Sequence, residues 1–292
     1  MSICCTRDNN YLFVADDKGI VQQFSMEYQS VLREFSSSSV KRIYSVCTSF
    51  NNKSLITANV DGEINKFQLK AEDVIQSFSQ LHSGEINTLC VSKDNRCVLS
   101  GDNEGGLLEW DWKYESYGFN STDKYGRGSS KDFDFGEITA IEINPINKLC
   151  WVGNNRGYVF LLTRYGVEWK LSNAWRPHNS EIIKIVYMHS PMRTYCDEDA
   201  EEILTCGEHE VRHWNIHDLD NALGSWSKCK DNIKDLVLGP DLKAFAFSDD
   251  KGCVCIGHFD REGKEPQMDL MDPTRTTMKE SWINSMVITP DG

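Results

Sequence analysis

Cys97-Val98-Leu99-Ser100-Gly101 runs into Asp102-Asn103-Glu104-Gly105-Gly106 and out again through Leu107-Leu108-Glu109-Trp110-Asp111. The flanks are apolar or alternate with a period of two, and the centre is rich in Asp, Asn and Gly. The stretch therefore reads as two short strands joined by a tight turn. The same grammar recurs outward along the chain. Asp16-Asp17-Lys18-Gly19, Val60-Asp61-Gly62, Asn155-Arg156-Gly157 and Asp250-Lys251-Gly252 are further turn clusters, preceded by apolar runs such as Tyr11–Ala15, Ser54–Ala58 and Ala244–Phe247. In phase with them, an Ile followed three residues later by an apolar residue recurs at Ile43, Ile86, Ile138, Ile182, Ile233 and Ile283, in steps of 43, 52, 44, 51 and 50.

The strand carrying that Ile, the turn hairpin and a further stretch such as Val74–Phe78 make four strands per unit. Small four-stranded sheets repeated at about 40–45 residues predict an all-β propeller, because one such sheet buries its faces only by stacking on neighbours. The chain opens inside an innermost strand, Ile3-Cys4-Cys5, and stops at Thr289-Pro290-Asp291-Gly292, after another one. The expectation is a single propeller domain over residues 1–292 with six complete blades plus the first strand of a seventh. A closed propeller leaves no blade with an open edge, so the chain reads as incomplete at its C-terminus, part of a seven-bladed or tandem propeller.

The residues themselves resemble the WD-repeat family. Leu99 to Asp111 is similar to that family's second strand, turn and third strand, closing on its Trp-Asp dipeptide, and Val211-Arg212-His213-Trp214-Asn215 is a second match with Asn for Asp. His82 and His178 stand four residues before a leading Ile, where the family carries a His that bonds a strand Ser or Thr and a turn Asp beside the Trp. The resemblance implies a structural network of His82, Ser100, Glu104 and Trp110, with Glu in place of Asp, and a second one around His178 and Trp214. Ser39, Asp134, Cys229 and Lys279 take the His place in the other blades.

Composition narrows the function. A net charge of −13 argues against a nucleic-acid footprint, which needs clustered Lys and Arg, and against a polybasic membrane patch. Eleven cysteines without a basic-then-apolar leader suit a reducing compartment, so the expected location is the cytoplasm, with the nucleus or a cytoskeletal assembly as alternatives. Cys4, Cys47 and Cys90 fall at equivalent innermost-strand positions, and Cys253-x-Cys255 lacks a second pair at zinc-like spacing, so both sets read as core rather than metal ligands. No G-x-S-x-G or phosphate-loop motif occurs. The reading is therefore not an enzyme, with no cofactor and no metal.

Two insertions interrupt the rhythm. Lys113–Phe135 is rich in Gly, Ser and Tyr, and Tyr114, Tyr117, Phe119, Tyr125 and Arg127 have interface composition; a tolerated surface insertion with tucked-in aromatics is the alternative. His189–Glu202 is acidic, suited to a basic partner, a cation or plain solvation. Tyr165, Trp169 and Trp175 with Arg176 form either a docking patch or an inter-blade contact. The function expected is a non-catalytic scaffold binding other proteins or peptides within a larger chain or multiprotein complex. A structural block of a large assembly is the alternative, and an enzyme or metal site in an axial channel a lesser one.

Overall fold

The structure, a computed structural model, describes residues 2–36, 41–71, 74–79, 82–111, 116–120, 134–188, 201–227, 231–259, 268–270 and 283–288. Within them 24 strands form six four-stranded antiparallel sheets, each a meander in chain order. Blade 1 is β1 (Ser2–Cys5), β2 (Tyr11–Ala15), β3 (Ile20–Ser25) and β4 (Ser30–Ser36); blade 2 is β5 (Ile43–Thr48), β6 (Ser54–Asn59), β7 (Ile64–Gln68) and β8 (Val74–Phe78). Blade 3 is β9 (Ile86–Val91), β10 (Cys97–Asp102), β11 (Leu107–Asp111) and β12 (Ser116–Asn120); blade 4 is β13 (Ile138–Ile143), β14 (Leu149–Asn154), β15 (Val159–Tyr165) and β16 (Glu168–Trp175). Blade 5 is β17 (Lys184–Met188), β18 (Glu202–Cys206), β19 (Val211–Asn215) and β20 (Gly224–Trp226); blade 6 is β21 (Ile233–Leu238), β22 (Ala244–Asp249), β23 (Val254–His258) and β24 (Met268–Leu270).

The chain divides into two compact units. Met1–Asn155 with Phe160–Ala174 holds the body of blades 1 to 4, and Arg156–Val159 with Trp175–Gly292 holds blades 5 and 6. Within the first unit the innermost strands β1, β5, β9 and β13 adjoin in succession, and within the second β17 adjoins β21. Blade faces meet through large apolar side chains. Phe13, Phe35, Leu55 and Phe67 fill the space between blades 1 and 2. Ile56, Ile64, Val98 and Trp110 do so between blades 2 and 3, and Leu99, Leu107, Ile138 and Trp169 between blades 3 and 4. In the second unit Leu204, Trp226, Phe245 and Phe247 join blades 5 and 6. Each fully buried side chain of this size contributes roughly 1.5–3 kcal/mol.

Two turns repeat with the blades. Between the second and third strands, the carboxylate or amide of Asp16, Asn59, Asp102 or Asp249 accepts the backbone N–H groups two and four residues on, at 2.6–3.0 Å. A glycine with positive φ follows, as at Gly105 (φ 89°), which an L side chain rarely adopts. This geometry is what the Asp/Asn…Gly clusters encode. Between the first and second strands, Asn9, Asn52, Asn95 and Asn147 hold φ of 53–57°. Two of these side chains also stitch neighbouring blades: Asn52 Oδ1 accepts the Arg7 N–H (3.1 Å) and Asn95 Oδ1 the Asn51 N–H (3.3 Å).

Three sequence boundaries shift. Ser116–Asn120, placed by the sequence inside a loop, is the outermost strand of blade 3 and pairs with β11, Tyr117 opposite Trp110 and Phe119 opposite Glu109. Glu202, counted in the acidic insertion, opens β18, where its Oε2 meets His213 Nε2 (2.9 Å); Glu201 accepts the Tyr187 hydroxyl (3.2 Å). Ile283–Ile288, expected as the first strand of a seventh blade, lies outside the six sheets.

The same first turn in blade 6 places Leu242 at φ 56°. A left-handed backbone costs a non-Gly residue roughly 1–2 kcal/mol, less for Asn. Leu242→Asn is expected to raise the denaturation midpoint, by an increment on the order of 1 kcal/mol. An unchanged or lowered midpoint in urea titration would show that the Leu side chain repays its strain through packing.

Candidate functional site

The groups with the chemistry of a site come together first in blade 3. Ser100 and Asp102 lie two apart on β10 and so share a face, with a bulge between Gly101 and Asp102. Trp110 reaches the same face from β11, and His82 enters from the segment ahead of β9. His82 Nε2 is 2.6 Å from Ser100 Oγ, His82 Nδ1 is 2.7 Å from Asp102 Oδ2, and Trp110 Nε1 donates to Ser100 Oγ at 2.7 Å. The Asp102 carboxylate only accepts, so Nδ1 carries the N–H that bonds it; in that tautomer Nε2 accepts from the Ser100 hydroxyl, whose oxygen accepts the indole N–H. Asp102 Oδ1 is also filled, by the Glu104 and Gly106 N–H groups.

The carboxylate of this network is therefore Asp102, not Glu104. Glu104 is exposed at the turn and contributes only its backbone N–H. Asp102 is the last residue of β10, two positions from Ser100, whereas Glu104 lies beyond the strand in the turn.

Blade 5 builds the same network differently. His178 Nε2 lies 2.8 Å from Thr205 Oγ1, Trp214 Nε1 donates to Thr205 Oγ1 at 2.9 Å, and His178 Nδ1 is 3.1 Å from Glu210 Oε1. Backbone bonds pair Asp102 N–H with Gly106 O and Gly207 N–H with Glu210 O, so the two pairs occupy the same place in their hairpins. In blade 3 the acid stands on the second strand and the glycine opposite; in blade 5 the positions are exchanged. Close packing enforces the exchange. A Cβ on Gly106 would lie 2.4 Å from Asp102 Oδ2, and one on Gly207 would lie 2.8 Å from the His178 ring. Arg212 joins Glu210 at 2.9 Å. Thr205 and Glu210 are residues that the sequence reading did not name.

The Ser–His–Asp connectivity is that of a nucleophilic triad, but access decides its role. Ser100 and Thr205 are both 0% exposed, and their oxygens already receive an indole N–H. A substrate carbonyl has no approach. The networks are struts that tie the loop before each innermost strand to the middle of its blade. Of the other occupants of the His place, Asp134 is exposed and accepts the Gly136 N–H (3.1 Å), while Ser39, Cys229 and Lys279 lie outside the described residues.

The candidate docking residues separate. Tyr114, Tyr125, Arg127 and the side chains of Tyr117 and Phe119 lie outside the described residues. Trp169 is buried, donating to Glu109 Oε2 (2.9 Å) beneath the Arg164 guanidinium, which bonds Glu109 Oε1 and sits 4.5 Å from the indole centre. Tyr165 is exposed. Trp175 is half-buried and meets Trp214 edge-on at 6.4 Å. Arg176 is exposed, donates to the Arg156 carbonyl (3.1 Å) and covers Tyr158 at 5.5 Å, leaving a cation–π pair on the surface.

Burial pushes the Cys47 thiol up to about 12 and holds Cys4 and Cys90 well above the ordinary range, so these innermost thiols stay protonated at neutral pH. Among the described residues no three His, Cys, Asp or Glu side chains are grouped to hold a metal ion. Cys255 belongs to the core between blades 5 and 6.

No family model and no curated protein matches the chain. Solved structures do. A chain in a crystal structure of a Mitotic Checkpoint Complex superposes with a TM-score of 0.77 at 13% identity, over 98% of this chain and 80% of that one. The β-propeller domain of Myceliophteria thermophila Cps50 (Swd1) gives 0.72 at 12% identity, over 92% and 85%. Likeness at this identity establishes the fold, an all-β propeller.

Two measurements test the networks. Asp102→Ala strands a buried imidazole N–H and two backbone N–H groups, and a loss of about 3 kcal/mol of stability is expected, whereas Glu104→Ala should stay within about 0.5 kcal/mol. Equal losses in denaturant titrations would return the role to Glu104. Burial also lowers the His178 imidazole to about 4, against the opposing pull of Glu210. Below pH 6.5 the unfolded chain takes up a proton that the native state refuses until about pH 4. Stability should therefore fall with decreasing pH across that window, by up to about 1.4 kcal/mol per pH unit from this residue. His178→Gln should flatten that slope; a slope left unchanged would assign the dependence elsewhere.

Proposed function

We propose that the chain is a WD-repeat-type scaffold that binds other proteins or peptides within a multiprotein complex and does no chemistry of its own. The observation that carries this reading is the sealing of the hydroxyls in both His–hydroxyl–carboxylate networks: Ser100 and Thr205 are 0% exposed. The groups best suited to catalysis are consumed in pinning the loop before each innermost strand to its blade, and what remains available is surface. One likeness points the same way, a propeller that stands within a Mitotic Checkpoint Complex. The net charge of −13 favours protein partners over nucleic-acid phosphates and membrane lipids. The many buried, protonated thiols suit work in a reducing compartment, the cytoplasm first among them.

The contact surface proposed is the exposed Arg176–Tyr158 pair beside Trp175; residues 121–133, from the Tyr-rich insertion at 113–135, are proposed separately as a second contact. Arg and Tyr are enriched at interface centres, and this pair already presents a cation held over a ring. The test is affinity capture from cell extract with the full chain, an Arg176→Glu/Tyr158→Ala variant and a chain lacking 121–133. Both replaced side chains are exposed or half-exposed, so the parent denaturation midpoint should persist. Specific partners are expected to be lost with at least one variant. The same partner set on all three chains would remove this surface from the proposal.

A further inference from the structure

Asp235 is a carboxylate in the wrong company. It sits on innermost strand β21 between Ile233 and Leu236, is 4% exposed, and occupies the place that Ser2 holds on β1: each stands opposite the residue just before its blade's turn acid, Ala15 before Asp16 and Ser248 before Asp249. A buried carboxylate is retained only where donors converge on it. Three arrive from outside its own strand. Lys184 Nζ lies 3.5 Å from Oδ1, the Ser285 hydroxyl donates to Oδ2 at 2.9 Å, and the Met286 N–H donates to the same oxygen at 2.7 Å. Nearby, the Ser248 hydroxyl donates to the Ile283 carbonyl at 3.3 Å.

The first unit shows what kind of seat this is. There Ser2 Oγ accepts the N–H of Val46, three residues after leading Ile43 (3.2 Å), and Asn87 Nδ2 donates to the carbonyl of leading Ile138 (3.0 Å). Met286 stands three residues after Ile283, so Ile283–Ile288 meets blade 6 through the contacts by which one blade receives the innermost strand of the next. Two things differ. The acceptor is an anion instead of a neutral hydroxyl, which strengthens both bonds and adds a demand for a hydroxyl donor. The segment also lies outside the six sheets, and side chains of blade 6 bond it at Ile283, Ser285 and Met286.

We propose that Asp235 and Ser248 form a binding site for an extended peptide with a hydroxyl residue followed by a residue with a free backbone N–H. The chain's own Ile283–Ile288 is its occupant in cis, and a peptide carrying the same donor pair exchanges with it. The carboxylate sets the specificity. Ser or Thr is accepted at the first position, Ala leaves Oδ2 one donor short, Pro at the second removes the other, and a phosphorylated Ser brings like charge against Asp235. The site lies on blade 6, apart from the Arg176–Tyr158 pair, and is assayed without cell extract, so it and the proposed scaffold surface succeed or fail separately.

The test uses the full chain and a fluorescent peptide of residues 280–289. In a Ser285→Ala/Met286→Pro chain the resident segment loses both donors while the seat is intact, and this chain is expected to bind the peptide. Adding Asp235→Ala should weaken that binding at least tenfold, as should Ala or phosphoserine in place of Ser285 in the peptide. In the otherwise native chain, Asp235→Asn, which keeps an acceptor and the side-chain shape, should speed amide exchange at Met286 several-fold, with exchange in β22 unchanged as the control for folding. Failure of the donor-deleted chain to bind, equal binding with Asp235→Ala, or indifference to the phosphate would each overturn the proposal.

Discussion

A four-stranded sheet of five- or six-residue strands has two faces and no means of covering either alone. Every other feature of this chain follows from that constraint. Within each compact unit, neighbouring blades close one another's faces, so apolar residues are needed on both sides of the middle strands. β6 and β10 are buried along their whole length. Strands buried on both faces lose simple alternation, and register must then be held by polar devices at the strand ends. The turn acids that gather two backbone N–H groups, and the left-handed asparagines that reach the next blade, meet that need at the two ends of the hairpins.

The buried His–hydroxyl–Trp networks answer a second problem created by the same stacking. The segment that leaves one blade's outermost strand must return to the innermost position of the next, and it has no ladder of its own to hold it. A histidine on that segment, bonded through both ring nitrogens to the middle of the blade, pins it with directional contacts where apolar packing alone would leave its position loose. The Glu109–Arg164–Trp169 cluster does comparable work between blades 3 and 4, using a charge pair shielded by an indole. Both devices spend reactive-looking side chains on architecture.

What the sequence made legible tracks how local the cause is. Ile86/Leu89 and Asp16…Gly19 could be read directly, because turn backbones demand Asn, Asp and Gly and strands impose a period of two. His82, Ser100 and Trp110 were legible through the resemblance to WD repeats, while the choice between Asp102 and Glu104 turned on where β10 ends and its turn begins. For Trp169 the choice between docking patch and inter-blade contact stayed open because its partner, Glu109, lies 60 residues away, beyond any local pattern. β12 was absorbed into a loop because its Gly- and Asn-containing sequence has little strand character, and pairing with β11 overrides that weakness. Nothing near Asp235 in the sequence names Ser285 and Met286 as its donors.

The exchange of acid and glycine between Asp102/Gly106 and Gly207/Glu210 has a consequence for how such chains are recognised. A three-dimensional site asks only that one carboxylate oxygen arrive at one imidazole nitrogen, and either strand of the hairpin can deliver it. A linear profile asks that a residue type recur in one column. Once a functional group migrates across a turn, the column empties while the contact persists. Blades that drift in this way keep their geometry and shed their signature, which fits a chain that superposes on known propellers at 12–13% identity while no family model matches it.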